Sequence, residues 1–455
     1  MHDKTRIIFC GTHIQQYNGY SKIVYEVLDK LAIYNDVEIT LFGFQNFYKN
    51  KTHINIRKLN PNITIFDPFK YEVESHKYQM FIKQEEEAIK EGKLNENNKS
   101  RLLNGFGPEY INDVISLVRP NIVIIYNDPG VITNLYRSIF NITENKGQIS
   151  YNIPESYKNI KFIPYLDVVY SNMSYYHLSI INRLSYGIIF FTESWKNVSW
   201  QFKDKIDNGK YYILGHGFNS QNYFPVDYNL ACKLMNLDNK SFKIINLNRN
   251  QPRKQLDIGV RAYVKFLSRA NYINEDIYFI IGTNPNDSWN LLEVIEYECL
   301  DLGLDFKKII NKFKIVDKPQ QYTDLEINLL MNICDIGINC CNGEGFGLIP
   351  FEQSGVKRPN IVSNVGPISD IFNENSALII NPKARNYIPQ GFHSLSGIQE
   401  YCDYNDFADA IEKYYNDKDL RELHGNNARK NILENYKWNK LIKGFHDYLV
   451  KVKNE

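Results

Sequence analysis

At 455 residues the chain is long enough for two or three domains with sizeable cores. Its 43% hydrophobic and 23% charged content excludes a disordered, collagen-like or disulfide-stapled protein. Lys+Arg 53 against Asp+Glu 52 leaves a formal net charge of +1, which excludes the global field of a non-specific nucleic-acid or membrane-surface binder, so any anion site must be local.

In chain order, Arg6 to Cys10 is a short apolar run, Gly11 to Gly19 a polar loop, and from Ser21 the residues Ile23, Val24, Val27, Leu28 and Leu31 recur at helical spacing. A strand feeding a helix through glycines opens an α/β sheet. Further strands are predicted at Val37 to Phe42, Asn121 to Tyr126, Phe162 to Tyr165 and Ile188 to Phe191. Residues 75 to 100 are charged and poor in branched apolar side chains, which reads as a solvated helical insertion spanning about 70–108.

A second α/β series follows Phe224-Pro225. It comprises strands at Phe242 to Leu247, Ile277 to Gly282 and Asp335 to Cys340, with helices at Leu256 to Leu267 and Leu325 to Ile333. The predicted division is 1–220, 221–437, and a tail of 438–455 in which Leu441, Ile442, Phe445 and Leu449 share a helical face that must pack against something.

The seven cysteines are scattered without a C-x-x-C pair, so no metal site or disulfide framework is expected, and a reducing, cytoplasmic setting is the default. No apolar run approaches the roughly 18 residues of a membrane span, and no secretory signal is read at the N-terminus.

Two segments carry chemistry. After the strand ending near Cys340 comes Glu344-Gly345-Phe346-Gly347-Leu348-Ile349-Pro350-Phe351-Glu352, a glycine loop leading into a helix whose free amides and dipole favour an anion such as a diphosphate. Glu344 is placed on the loop and Glu352 in the first helical turn, so the two carboxylates reach different parts of one extended ligand. The plainer alternative is a dipole-complementing Glu352 and a solvated Glu344. The second segment, Asn248-Arg249-Asn250-Gln251-Pro252-Arg253-Lys254, follows the strand at 242–247 and sets cations where open parallel sheets bind ligands. Arg249 and Lys254 there can neutralise a diphosphate without a metal.

Together these segments resemble the retaining, nucleotide-sugar-dependent glycosyltransferases of GT-B fold, specifically glycosyltransferase family 4. Its E-x7-E motif is matched by Glu344 and Glu352, and its R-x4-K element by Arg249 and Lys254. Lesser matches are the loop with Gly19, TESW at Thr192 to Trp195, the run from His216 to Pro225, IIGTNP from Ile280 and SNVGPISDI from Ser363.

The resemblance implies two Rossmann-like domains facing a cleft, the nucleotide-sugar held mainly by the C-terminal domain, the acceptor by the N-terminal one, and the last helix crossing back. It implies diphosphate binding by Arg249 and Lys254, ribose binding by Glu352, and donor-sugar contact by Glu344 with Gly345, Phe346, Gly347 and Leu348, with Gly19 and His216 nearby. No cofactor is implied, since the nucleotide-sugar is a substrate; the acceptor is an unidentified carbohydrate, lipid or protein. No nucleic-acid partner is indicated, and peripheral membrane contact is left open.

The sequence departs from the family where relatives carry a histidine before an aspartate: here Leu166 precedes Asp167. Asp167, or Asp128, is the acceptor-side candidate, against the plainer reading of each as a capping or turn aspartate. His216 is read as either cleft-facing or structural, and Asp417-Lys418-Asp419 lies too far from the motifs to be a metal site. The competing readings are a non-catalytic protein of the same fold, favoured by Leu166, and an NAD-type oxidoreductase, disfavoured because no compact G-x-G-x-x-G opens either half.

Overall fold

The computed structural model of the chain describes residues 4–16, 18–47, 57–93, 105–145, 148–269, 272–317, 319, 322–388 and 396–455. Within them the apolar runs of the first half form a seven-stranded parallel sheet. Its order is Ile63–Phe66, Val37–Phe44, Thr5–Thr12, Ile122–Asn127, Lys161–Leu166, Ile188–Phe190, Tyr211–Ile213. Ile7, Ile8, Phe9 and Cys10 are all fully buried, as a parallel strand covered by helices on both faces requires.

The helix Gly19–Leu31 starts where Asn18 and Ser21 form a reciprocal capping box, and it buries Ile23, Val24, Val27, Leu28 and Leu31. Each such side chain contributes roughly 1.5–3 kcal/mol when fully removed from water.

The second half forms a six-stranded parallel sheet ordered Phe313–Val316, Ile277–Gly282, Phe242–Asn246, Ile336–Asn339, Asn360–Ser363, Ala377–Ile380. Strand order reverses beside Thr5–Thr12 in one sheet and beside Phe242–Asn246 in the other, and ligands of such sheets bind beyond the strands' carboxyl ends at these reversals. Residues following both reversals line one cleft, so the architecture is two Rossmann-like sheets facing each other.

The strands missing from the sequence reading are short ones: Ile63–Phe66, the hairpin Thr143–Asn145 with Gln148–Ser150, Tyr211–Ile213, Phe313–Val316, Asn360–Ser363 and Ala377–Ile380. Three or four residues give a periodicity too little length to stand out, and Ile188–Phe190 is legible instead as a continuous apolar run. A small antiparallel hairpin, Ala384–Ile388 with Gly397–Tyr401, follows the last of them. In the charged stretch the helices Pro68–Glu74 and His76–Lys90 are present, and the part of the expected insertion at 94–104 lies outside the described residues.

The tail helix Trp438–Asn454 buries Trp438, Ile442, Phe445, Leu449 and Val452. Its contacts are with the first-sheet half: Phe445 and Tyr448 pack on Tyr212, and His446 stacks on Tyr34 with 4.0 Å between ring centroids. His446 Nε2 also lies 2.9 Å from Asp36. The segment entering this helix runs beside the connection between the sheets, where the Phe218 N–H donates to the Tyr436 carbonyl at 2.7 Å. Only glycine fits at 217, because a Cβ there would sit 2.3 Å from the Trp438 ring.

Candidate active site

The glycine loop begins at the end of Ile336–Asn339 and runs to the helix Leu348–Gly355, capped by Gly347 in the left-handed region at φ 92°. Opposite it, the turn after Phe242–Asn246 is held by amides: the Asn250 N–H donates to Thr283 Oγ1 at 2.8 Å, and its side chain donates to the carbonyls of Asn284 and Trp289 at 3.0 and 2.7 Å. The single turn Pro252–Lys254 ends at Gln255 with φ 48°, which sets Arg253 and Lys254 toward the loop. Lys254 Nζ lies 2.5 Å from Glu344 Oε2, and Arg253 Nη1 lies 3.5 Å from Glu344 Oε1 while donating to the Gly343 carbonyl at 2.9 Å.

Burial would raise the Glu344 carboxyl, but the charges of Lys254 and Arg253 outweigh it and hold the group at about 2. Glu344 is therefore an anion throughout the physiological range, able to accept hydrogen bonds from sugar hydroxyls but not to donate one. Arg249 faces the cleft and carries no ion pair among the described residues, so its guanidinium is available to an anion. Glu352 falls in the second turn of its helix rather than the first, because the helix starts at Leu348. Its carboxylate meets Lys22, whose Nζ lies 2.5 Å away and also 2.7 Å from the Tyr223 hydroxyl.

Across the cleft, the Tyr20 hydroxyl donates to Asp167 Oδ2, and Asp167 Oδ1 is buried without a partner among the described residues. Gly345 approaches so closely that a Cβ on it would sit 2.1 Å from that oxygen. Desolvation pushes the Asp167 carboxyl up to about 6, with Tyr20 and Arg253 opposing the rise and Asp128 and Glu344 adding to it. Asp128 lines the cleft too, and it also caps the helix Pro129–Ile139 by accepting from the Gly130 and Val131 amides at 2.8 and 3.0 Å. Leu166 is fully buried in the sheet.

His216, 2% exposed, sits in a nest of rings with Phe346 and Phe191 centroids at 4.5 and 4.6 Å. Neither ring nitrogen has a partner among the described residues, and burial lowers the imidazole to about 3, so it is neutral.

The structure thus brings Glu344, Arg249, Lys254, Asp167, Glu352, Gly345, Phe346, Gly347, Leu348, Gly19 and His216 to one cleft of about 570 Å³. It adds Arg253, Tyr20 and Lys22. Arg253 was visible only as one more cation in a basic turn, and nothing in the sequence marks Tyr20 or Lys22, whose partners are far along the chain. Asp417 caps the helix Lys418–Asn435 through the Leu420 amide, and the described residues hold no cluster of three or more metal-ligating side chains.

No protein-family model matches the sequence. The structure is similar over 99% of both chains to sucrose-phosphate synthase from Thermosynechococcus elongatus, with a TM-score of 0.67 at 12% identity. It is similar to Anabaena Alr3699/HepE in complex with UDP-glucose over 98% of this chain and 99% of that one, with a TM-score of 0.63 at 12% identity. The chain has the GT-B fold. Among curated proteins, human alpha-1,3/1,6-mannosyltransferase ALG2 is 21% identical over 217 residues, which are 47% of this chain and 46% of that protein. The match to that relative therefore spans about half of its length.

Proposed function

We propose that this GT-B chain is a glycosyltransferase (EC 2.4) that moves a sugar from a nucleotide-sugar donor to a hydroxyl-bearing carbohydrate, lipid or protein acceptor. It retains anomeric configuration and needs no divalent metal. The observation that carries this reading is the convergence, beyond the reversal of the second sheet, of an unpaired Arg249, the Lys254–Glu344–Arg253 cluster and Glu352 on one cleft. The UDP-glucose bound by HepE supports this class of donor, and the mannosyl transfer named for ALG2 supports sugar transfer.

In this reading Arg249 and Lys254 stabilise the departing diphosphate, each charge-assisted bond contributing about 1.5–3 kcal/mol. Glu344 accepts from hydroxyls of the transferred sugar, and Glu352 binds the ribose hydroxyls after parting from Lys22. The amides of Gly345 to Leu348 face the donor, Gly19 and the neutral His216 shape its surroundings, and Asp167 meets the acceptor side. Developing charge lies on the leaving group, so pre-placed cations in the cleft are the main catalytic device. We assign the N-terminal acceptor half to 1–220, the donor half to 221–437 and the tail to 438–455, and place the protein in the cytoplasm.

The test is a panel of UDP-, GDP- and ADP-sugars with mixed acceptors, assayed with and without EDTA. Sugar transfer with retained configuration, unchanged by chelation, is the expected result; activity restored only by manganese overturns the metal-free assignment. Glu352→Ala is expected to weaken nucleotide binding and Glu344→Ala to lower turnover. A non-catalytic GT-B binding protein is the second reading, favoured by Leu166, which presents no polar atom to the cleft. It would show tight nucleotide-sugar binding and no turnover.

A further inference from the structure

We propose that Trp195 is a positioning residue for the donor loop, acting from the opposite half of the molecule. Its indole Nε1 donates to the Gly345 carbonyl at 2.8 Å, in the longest-range polar contact that the loop makes with the first-sheet half. The indole is 4% exposed and belongs to the short helix Glu193–Val198, behind the loop; Gly345, Phe346 and Gly347 form the cleft wall in front of it.

In a trans peptide the carbonyl and the following N–H point in opposite directions. Tying the Gly345 carbonyl back to Trp195 therefore turns the Phe346 N–H forward, and no acceptor for that N–H is present among the described residues. Gly366 closes the rear of the loop, since a Cβ there would sit 2.4 Å from the Glu344 carbonyl oxygen and 3.0 Å from the Trp195 ring. The Phe346 ring is fixed separately by Phe351 and His216, with centroids at 5.2 and 4.5 Å. The peptide between Gly345 and Phe346 thus keeps one orientation only while the two halves are docked, and docking itself completes the anion-facing surface of the loop. A second contact from the same helix is independent of the indole: Ser194 donates to Asp370 from its N–H at 3.0 Å and its hydroxyl at 2.8 Å.

The inference rests on the donor-site reading of the cleft, and two readouts separate them. Carbonyl-¹³C glycine with ¹⁵N phenylalanine labelling reduces the NMR spectrum of the ligand-free protein to the six Gly–Phe peptides of the chain, of which Gly345–Phe346 is assigned by its loss in Phe346→Leu. Trp195→Phe, which keeps a ring but loses the donor, is expected to shift or broaden that signal and to weaken binding of the preferred nucleotide-sugar about tenfold, the value of one hydrogen bond to a charged group. Asp370→Ala, which breaks the neighbouring contact alone, is expected to leave the signal in place. An unchanged signal and affinity in Trp195→Phe overturns the proposal, as does an equal effect of Asp370→Ala. A shifted signal in a protein whose unsubstituted form binds no nucleotide-sugar upholds the positioning of the loop and counts instead against the donor-site reading.

Discussion

Glu344 and Asp167 are carboxylates on opposite walls of one cleft, and their neighbours drive them apart. Glu344 titrates at about 2 in the folded protein, below its ordinary 4.5, so the folded state favours its ionised form. That contribution is present above about pH 4.5 and is lost as pH falls through about 2. Removing the charge leaves Lys254 and Arg253 buried without their anion, so Glu344→Gln should lower stability near pH 7 by about 3 kcal/mol. Urea unfolding reads this directly, and an unchanged midpoint would contradict the cluster.

Asp167 has the opposite sign. With a folded value of about 6 against 3.8, the folded state binds its proton more tightly than the unfolded chain, so this group costs stability progressively from about pH 4 to pH 6 and by a constant amount above. The melting temperature of Asp167→Asn minus that of the unsubstituted protein should rise across that window and level off above it. A difference that is flat with pH would show that the carboxyl is not desolvated.

At the scale of elements, the tail helix is set by packing at its first turn. Gly217 lies against the Trp438 ring, beside the bond from the Phe218 N–H to the Tyr436 carbonyl. Gly217→Ala must push the ring or the connecting segment aside, and overpacking of this kind costs about 1–3 kcal/mol. The expected readout is a lower denaturant midpoint, and a variant as stable as the parent would show that this crossing is loose. The amphipathic face of the tail was legible because Ile442, Phe445 and Leu449 recur at helical spacing. That it crosses back to the first half was implied by the resemblance alone, and the residues it meets there were not legible, because Tyr34, Asp36 and Tyr212 are distant in sequence and carry no local mark.

On the scale of the whole molecule, the two halves share polar contacts across the cleft, and Lys22–Glu352 is the one that a nucleotide would disturb in the proposed function. Lys22 is 24% exposed in its side chain, so the pair is only partly desolvated and worth about 0.2–1 kcal/mol. If the ribose takes Glu352 from Lys22, Lys22→Met should bind a nucleoside diphosphate more tightly, by up to about fivefold. Titration calorimetry measures it. Weaker binding by the variant would show instead that the ammonium itself contacts the ligand.

What the sequence by itself determined were the features written in short stretches. The apolar runs and helical periodicities gave two α/β series, since period and burial are local properties of strand and helix. The spacing of Glu344 and Glu352 after a glycine loop, and of Arg249 and Lys254 after a strand, marked the candidate donor side, because a loop and the helix it feeds are contiguous. Tertiary structure alone decided which groups face one another. It joined Glu344 to Lys254 and Arg253, paired Glu352 with Lys22, set Tyr20 on Asp167 and brought Trp195 behind Gly345. Those contacts depend on how two sheets dock, and the docking is fixed by the packing of many distant side chains rather than by any motif.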